Sequence, residues 1–142
     1  MREVFADTWF WISAIYPRDI LHHQSVEIQS ALESSAITLV TTDEVLVEFL
    51  AYFSARGRYL RTLAAATVSR AFENQLVRVV PQSRQSFVAG LSLYVNRGDK
   101  EYSMVDCISM AAMRELEIGK VLTRDGHFVQ EGFKTITTAT DL

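Results

Sequence analysis

One cysteine, two prolines, six glycines and no long apolar run leave this 142-residue chain with little of what marks secreted, membrane or zinc proteins. Cys107 alone cannot close an internal disulfide, and it has no second thiolate with which to ligate zinc. Set between Val105 and Ile108 in an apolar helical stretch, it reads as a buried, inert thiol. The apolar runs are too short to span a bilayer, and Asp7 interrupts any signal-peptide core, so a soluble cytoplasmic protein is expected. Positive charge is also scarce. Seventeen acidic against fourteen basic residues give a formal charge of −3, which excludes nucleic-acid binding through bulk charge and leaves only a local basic rim. The adjacent His22 and His23 lack zinc-site spacing. Internal repeats, low-complexity segments and linkers are missing, which predicts one compact domain over residues 1–142.

What is present is a globular balance, 49% hydrophobic and 22% charged, in which short β-rich runs alternate with longer helical patterns. That alternation predicts an α/β fold with a mainly parallel sheet. Strands are expected at 3–6, 37–40, 76–80, 120–123 and 133–136. Helices are expected at 9–15, 19–33, from 41 or 42 to 55 with Gly57 as its stop, at 59–74, at 83–95 and at 103–117. The last is supported by Met104, Cys107, Ile108, Ala111, Ala112 and Leu116, which fall on one helical face.

In an open parallel sheet, ligands bind beyond the carboxyl ends of the strands. Asp7 follows the first strand and Asp125 lies two residues past Thr123 after the fourth. Glu48 and Asp106 sit early in helices that enter from the same edge. Carboxylates brought together repel, and a divalent cation removes that cost. Oxygen donors without a His or Cys cluster favour Mg²⁺ or Mn²⁺ over zinc. Each acid also has a purely local reading. Asp7 can cap the following helix, Ser103-Met104-Val105-Asp106 matches a capping box, and Asp125 before Gly126 suits a turn. Glu44 and Glu48 share a helix face, but Thr41-Thr42-Asp43-Glu44 gives Glu44 a capping role. Glu48 has none and lies among Val45, Leu46, Val47, Phe49 and Leu50, where a charge needs compensation.

Four segments, in order, resemble the PIN-domain nucleases. They are Val4-Phe5-Ala6-Asp7-Thr8, Thr41 through Glu48, Asp99 through Cys107, and Leu122-Thr123-Arg124-Asp125-Gly126-His127-Phe128. The resemblance spans Val4 to about Phe133. It implies a three-layer α/β/α sandwich and a catalytic metal site of Asp7, Glu48, Asp106 and Asp125, with Thr8, Ser103, Thr123 and Asp99 as accessory candidates. It also implies Mg²⁺ or Mn²⁺ as cofactor and cleavage of single-stranded RNA. Many members of this size are VapC-type toxins that pair with an antitoxin protein and are often dimeric.

Arg56-Gly57-Arg58-Tyr59-Leu60-Arg61 concentrates arginine beside an aromatic ring, which suits phosphate and base contacts as well as a solvated helix junction. Arg97, Lys100 and Arg124 flank the acid motifs and are comparable RNA-binding candidates. His127 follows Asp125 closely, with packing or capping as its expected role and approach to a phosphate as the alternative. Trp9, Phe10 and Trp11 are expected in the core, with a share available to a partner surface. Two other classes compete with a metal ribonuclease: a non-catalytic RNA- or protein-binding module on the same fold, and a DNA-directed nuclease or phosphatase. A phosphatase would want a well-placed lysine, and none is evident.

Overall fold

The computed structural model describes residues 2–142. Five strands, β1 (Glu3–Ala6), β2 (Thr38–Thr42), β3 (Val77–Val80), β4 (Lys120–Leu122) and β5 (Lys134–Ile136), form one sheet in the order β3-β2-β1-β4-β5. Every pairing is parallel, with Val4 opposite Leu39, Phe5 opposite Val121, and Leu122 opposite Ile136. The central strands carry Val4, Phe5, Ala6, Val40, Val121 and Leu122, all buried, as a sheet covered on both faces requires.

Seven helices connect the strands: α1 (Thr8–Ile15), α2 (His22–Ser34), α3 (Asp43–Phe53), α4 (Arg58–Glu73), α5 (Arg84–Asn96), α6 (Met104–Glu115) and α7 (His127–Gln130). Parallel crossovers are right-handed, so the two leading outward from β1 to β3 place α1–α4 on one face. The crossover from β3 back to β4, and then on to β5, places α5–α7 on the other. Helix contacts mostly follow this division, with α1 packing on α2 and α3, α3 on α4, α5 on α6, and α6 on α7, while α3 and α6 meet across the two layers. The result is the expected three-layer α/β/α sandwich. Its winding reverses between β1 and β4, which opens a crevice at their carboxyl ends.

Local chemistry accounts for where elements begin and end differently from the sequence pattern. Helix α2 starts at His22, not Asp19, because the Asp19 carboxylate accepts the Leu21 N–H in a turn (2.9 Å). Helix α3 is capped by Thr42, whose hydroxyl accepts from Val45 N–H at 3.1 Å. Glu44 therefore stands one position short of a capping-box acid, and its expected capping role does not hold. Helix α3 ends at Phe53 rather than at Gly57, which instead precedes α4 with φ +96°. That backbone conformation is one glycine adopts without strain. Helix α7 was absent from the sequence pattern because a four-residue helix is too short to show periodicity.

Trp9, Phe10 and Trp11 are all buried, leaving none of them for a partner surface. Trp11 meets Phe49, and Phe49 packs edge-on to Phe53, tying α1 to α3. Cys107 is buried and free, with its thiol pKa raised by burial, as expected of an inert core residue. Helix α6 buries more than the single predicted face, because Met110 and Met113 join the main core while α5 covers Ile108.

Gly90 makes the α5–α6 approach possible. A Cβ there would lie 2.5 Å from Ile108 Cγ1 and 3.1 Å from its Cα. Gly90→Ala gains about 1 kcal/mol of helix propensity. Overpacking of a tight contact costs about 1–3 kcal/mol. A net loss of stability is therefore expected, read as a lower midpoint in thermal or urea unfolding. A more stable Gly90→Ala protein would show the helices free to separate.

Candidate metal centre

The four acids converge on the crevice at the reversal point. Asp7 leaves the end of β1, where its N–H continues the sheet by bonding Leu122 O at 3.1 Å. Its side chain does not cap α1, so the local reading of this residue fails. Instead Asp7 Oδ2 accepts the Thr123 hydroxyl at 2.9 Å, while Thr123 Oγ1 accepts the Asp125 N–H at 3.0 Å. The fully buried Thr123 thus joins the ends of β1 and β4 and links two of the acids.

Asp106 fills its expected capping role and also lies within the acidic cluster. It closes a capping box with Ser103, the Ser103 N–H donating to Asp106 Oδ2 at 3.0 Å and the Asp106 N–H to Ser103 Oγ at 3.1 Å. It is also buried beside Asp125 and His127, and these three offer ligand atoms within 4.8 Å of one another. Asp125 Oδ1 accepts the His127 N–H at 2.9 Å, the turn role foreseen for it. Glu48 accepts the Thr8 hydroxyl at 2.5 Å across the α1–α3 contact. It is exposed, as are Val47 and Leu50, so its charge is compensated by water and Thr8 rather than stranded in the core.

Asp7 carries the electrostatic consequence. Burial first, and then the charges of Asp106 and Glu48, raise its pKa from 3.8 to about 6, against the lowering bonds from Thr8 and Thr123. This is a buried carboxylate whose charged neighbours are other carboxylates, and no Lys or Arg among the described residues pairs with the cluster. The donor set is dominated by oxygen and has no thiolate at hand. It suits a hard divalent cation, to which Asp7, Asp106, Asp125 and Glu48 could each present an oxygen.

His127 is the member that sequence reasoning undervalued. Its Nδ1 lies 3.1 Å from Asp106 Oδ2 and 3.1 Å from Asp125 Oδ1. Burial pulls the imidazole pKa down, but the Asp106 hydrogen bond and the charges of Asp125 and Asp106 outweigh it and leave it raised. The available signal was its place two residues beyond Asp125, where a turn brings the ring back over the acid.

Other candidates lie outside the cluster. Asp99 is exposed and pairs with Lys100 at 3.7 Å. Arg97 bonds Glu131 at 2.6 Å, and Arg114 bonds the same nearly buried carboxylate at 2.6 Å. Arg124 pairs with Asp19 at 3.5 Å and lies over the Trp9 ring. Arg56 stacks on Tyr52, and Arg61 donates to Ser54 O at 2.7 Å. Arg58 is exposed at the start of α4. An apolar cleft of about 310 Å³, lined by Phe10, Trp11, Leu32, Leu39, Ala71 and Val77 among others, contains none of the four acids.

Known proteins resemble this chain in both sequence and fold. The 23S rRNA-specific endonuclease VapC20 of Mycobacterium tuberculosis is 27% identical over 130 residues, covering 92% of this chain and 95% of the relative. The crystal structure of that protein, described as a Sarcin-Ricin loop cleaving toxin, matches with a TM-score of 0.80 over 94% of this chain and 98% of its own. FitAcB from Neisseria gonorrhoeae, at 15% identity and a TM-score of 0.62 over 94% of this chain and 96% of its own, shares the fold. The model of the PIN domain matches residues 4–134, and the chain belongs to the PIN-domain family.

Proposed function

We propose that this chain is a cytoplasmic endoribonuclease that hydrolyses phosphodiester bonds in single-stranded or structured RNA, acting as the toxin of a toxin–antitoxin pair. The supporting observation is the convergence of Asp7, Glu48, Asp106 and Asp125 in the crevice between β1 and β4. The likeness to an rRNA endonuclease over 92% of the chain supports the substrate class. The cofactor is Mg²⁺ or Mn²⁺, which when bound supplies an acidified water and stabilises charge on the phosphate. The chain's own contribution is orientation: Thr123 fixes Asp7, Ser103 fixes Asp106, and Thr8 fixes Glu48.

RNA contacts fall to the α3–α4 junction. No acid occurs from Phe49 to Phe72, whereas Arg56, Arg58, Arg61 and Arg70 do. Tyr59 stands 77% exposed between them, free to stack on a base. The protein acts as a homodimer through α5, where Phe87, Val88, Leu91, Tyr94 and Val95 are 42–68% exposed and no charge intervenes between Arg84 and Arg97. Antiparallel pairing of two copies brings Arg84 of one toward the exposed Asp99 of the other. Leu91→Glu should convert a dimer to a monomer in light scattering; a wild-type protein that is already monomeric overturns this assignment.

Cleavage of labelled RNA, both a sarcin–ricin stem-loop and an unrelated single strand, tests the activity with Mg²⁺, Mn²⁺ or EDTA. Cutting should require the metal and disappear in Asp7→Asn. Cutting that persists in EDTA or in the variant removes the metal site from the reaction. RNA binding without any cutting or Mn²⁺ uptake would make the chain a binding module.

Asp7 also predicts a pH dependence in the metal-free protein. Its carboxyl has a pKa near 3.8 when unfolded and about 6 when folded, so stability is lost as pH rises through that window. The difference corresponds to about 3 kcal/mol at neutral pH. In EDTA, Asp7→Asn should match wild type near pH 4 and become more stable than it by up to about that amount by pH 7. Parallel stability curves for the two proteins would contradict the burial of Asp7 among like charges.

A further inference from the structure

His127 opens α7 with its ring 5.3 Å from that of Tyr102, centroid to centroid. Tyr102 in turn donates to Glu131 at 3.1 Å, so the wall behind the imidazole is itself anchored by Arg97 and Arg114. The hydrogen bonds around this ring are unevenly shared between carboxylate oxygens. Asp106 Oδ2 faces both Ser103 N and His127 Nδ1, at 3.0 and 3.1 Å. Asp125 Oδ1 faces both the backbone N and Nδ1 of His127, at 2.9 and 3.1 Å. Asp106 Oδ1 and Asp125 Oδ2 receive no hydrogen bond from any described residue.

We propose that His127 is a positioning residue: its Nδ1–H donates to Asp106 Oδ2 while its backbone N–H holds Asp125 Oδ1 beside the ring, leaving the two opposite oxygens free for a cation. The inference rests on the metal-site reading above and extends it to a residue that no oxygen-ligand motif contains. Two adjacent carboxylates left to themselves rotate to separate their charges. The ring N–H fixes the rotation of Asp106 and its charge draws Asp125 toward the same side, and loss of such a donor behind a metal site lowers metal affinity about 10–100-fold.

The test is Mn²⁺ affinity measured by titration calorimetry on the RNA-free protein, with thermal melts in EDTA recorded for each variant. His127→Asn keeps an N–H donor near the Nδ1 position, whereas His127→Gln moves the donor toward Nε2, and His127→Ala removes it. Affinity should stay within about threefold of wild type for Asn and fall 10–100-fold for Gln and Ala. A side chain that served packing alone would lower the melting temperature and leave Mn²⁺ affinity unchanged, which overturns the proposal. So does equal weakening by Asn and Gln, since these two differ in where the donor sits. The Asp7→Asn protein separates the two levels of the argument. If it binds Mn²⁺ like wild type, the metal-site reading fails. If it loses binding while His127→Gln keeps it, only the role of His127 fails.

Discussion

Like charges forced together at the end of a sheet are the constraint around which the rest of this molecule is arranged. Asp7 is held almost out of solvent, with Asp106 and Glu48 close enough to raise its pKa further. Folding gains nothing from such a contact, and a protein of this size has a net stability of only about 5–15 kcal/mol to set against it. The neighbours of these acids limit the cost without removing the charge. Hydroxyls from Thr8 and Thr123 and the backbone N–H of Ser103 each satisfy one carboxylate oxygen. They are neutral donors. No Lys or Arg salt bridge reaches Asp7, Glu48, Asp106 or Asp125 among the described residues; His127 is the only cationic partner recorded there. Cations are spent elsewhere, on Glu131 and Asp19. This division leaves the crevice able to attract a divalent ion.

The doubly wound sheet solves the accompanying problem of placement. Asp7 and Asp106 are far apart in sequence, and the reversal of winding brings the end of β1 and the start of α6 to the same edge. Thr123 fixes the join, since a single hydroxyl can donate to Asp7 while accepting from the Asp125 backbone. On the α5–α7 side, Glu131 gathers Arg97, Arg114 and Tyr102 onto one carboxylate, with hydrogen bonds that overcome burial and lower its pKa. That network ties α7, and with it His127, to α5 and α6. Tight packing at Gly90 gives the same two helices a fixed spacing. The site therefore depends on a layer of interactions that never touch it.

Much of this was legible in the sequence, for a physical reason. Strand runs such as Val4-Phe5-Ala6 are buried on both faces and read as continuous apolar stretches, while long helices reveal themselves by period. The acids were legible because four of them fall along one expected edge of the sheet within the segments that resemble the PIN-domain nucleases, although each alone also suits a local role. What escaped depended on local hydrogen bonding or on three-dimensional neighbours. Asp19 delays α2 through one turn bond, and Thr42 takes the cap that shifts Glu44 out of register. Glu48, surrounded by apolar letters, is exposed because Val47 and Leu50 are exposed beside it. Arg97 looked available beside an acid motif, yet its partner, Glu131, lies on a different element. His127 shows the limit most clearly: its value comes from Nδ1 standing between two carboxylates, one of them on α6, and no spacing rule encodes that distance.

Net charge is the remaining apparent obstacle to an RNA substrate, and the distribution of charge removes it. A formal −3 summed over the chain says little about the field that a phosphate meets at one surface. Surface charges are screened over about 8–10 Å at physiological salt, so an acid on the far side of the sandwich contributes almost nothing at the α3–α4 junction. Within the stretch from Phe49 to Phe72 the sign is uniformly positive. The crevice itself is dominated by carboxylates, with His127 their one cationic neighbour among the described residues, and would repel a phosphate until a cation occupies it. On the proposed reading, an acidic cutting site and a separate basic holding surface make productive binding conditional on the metal. The same separation explains why the overall composition resembles that of an ordinary acidic protein: the two fields nearly cancel in the sum while remaining distinct in space.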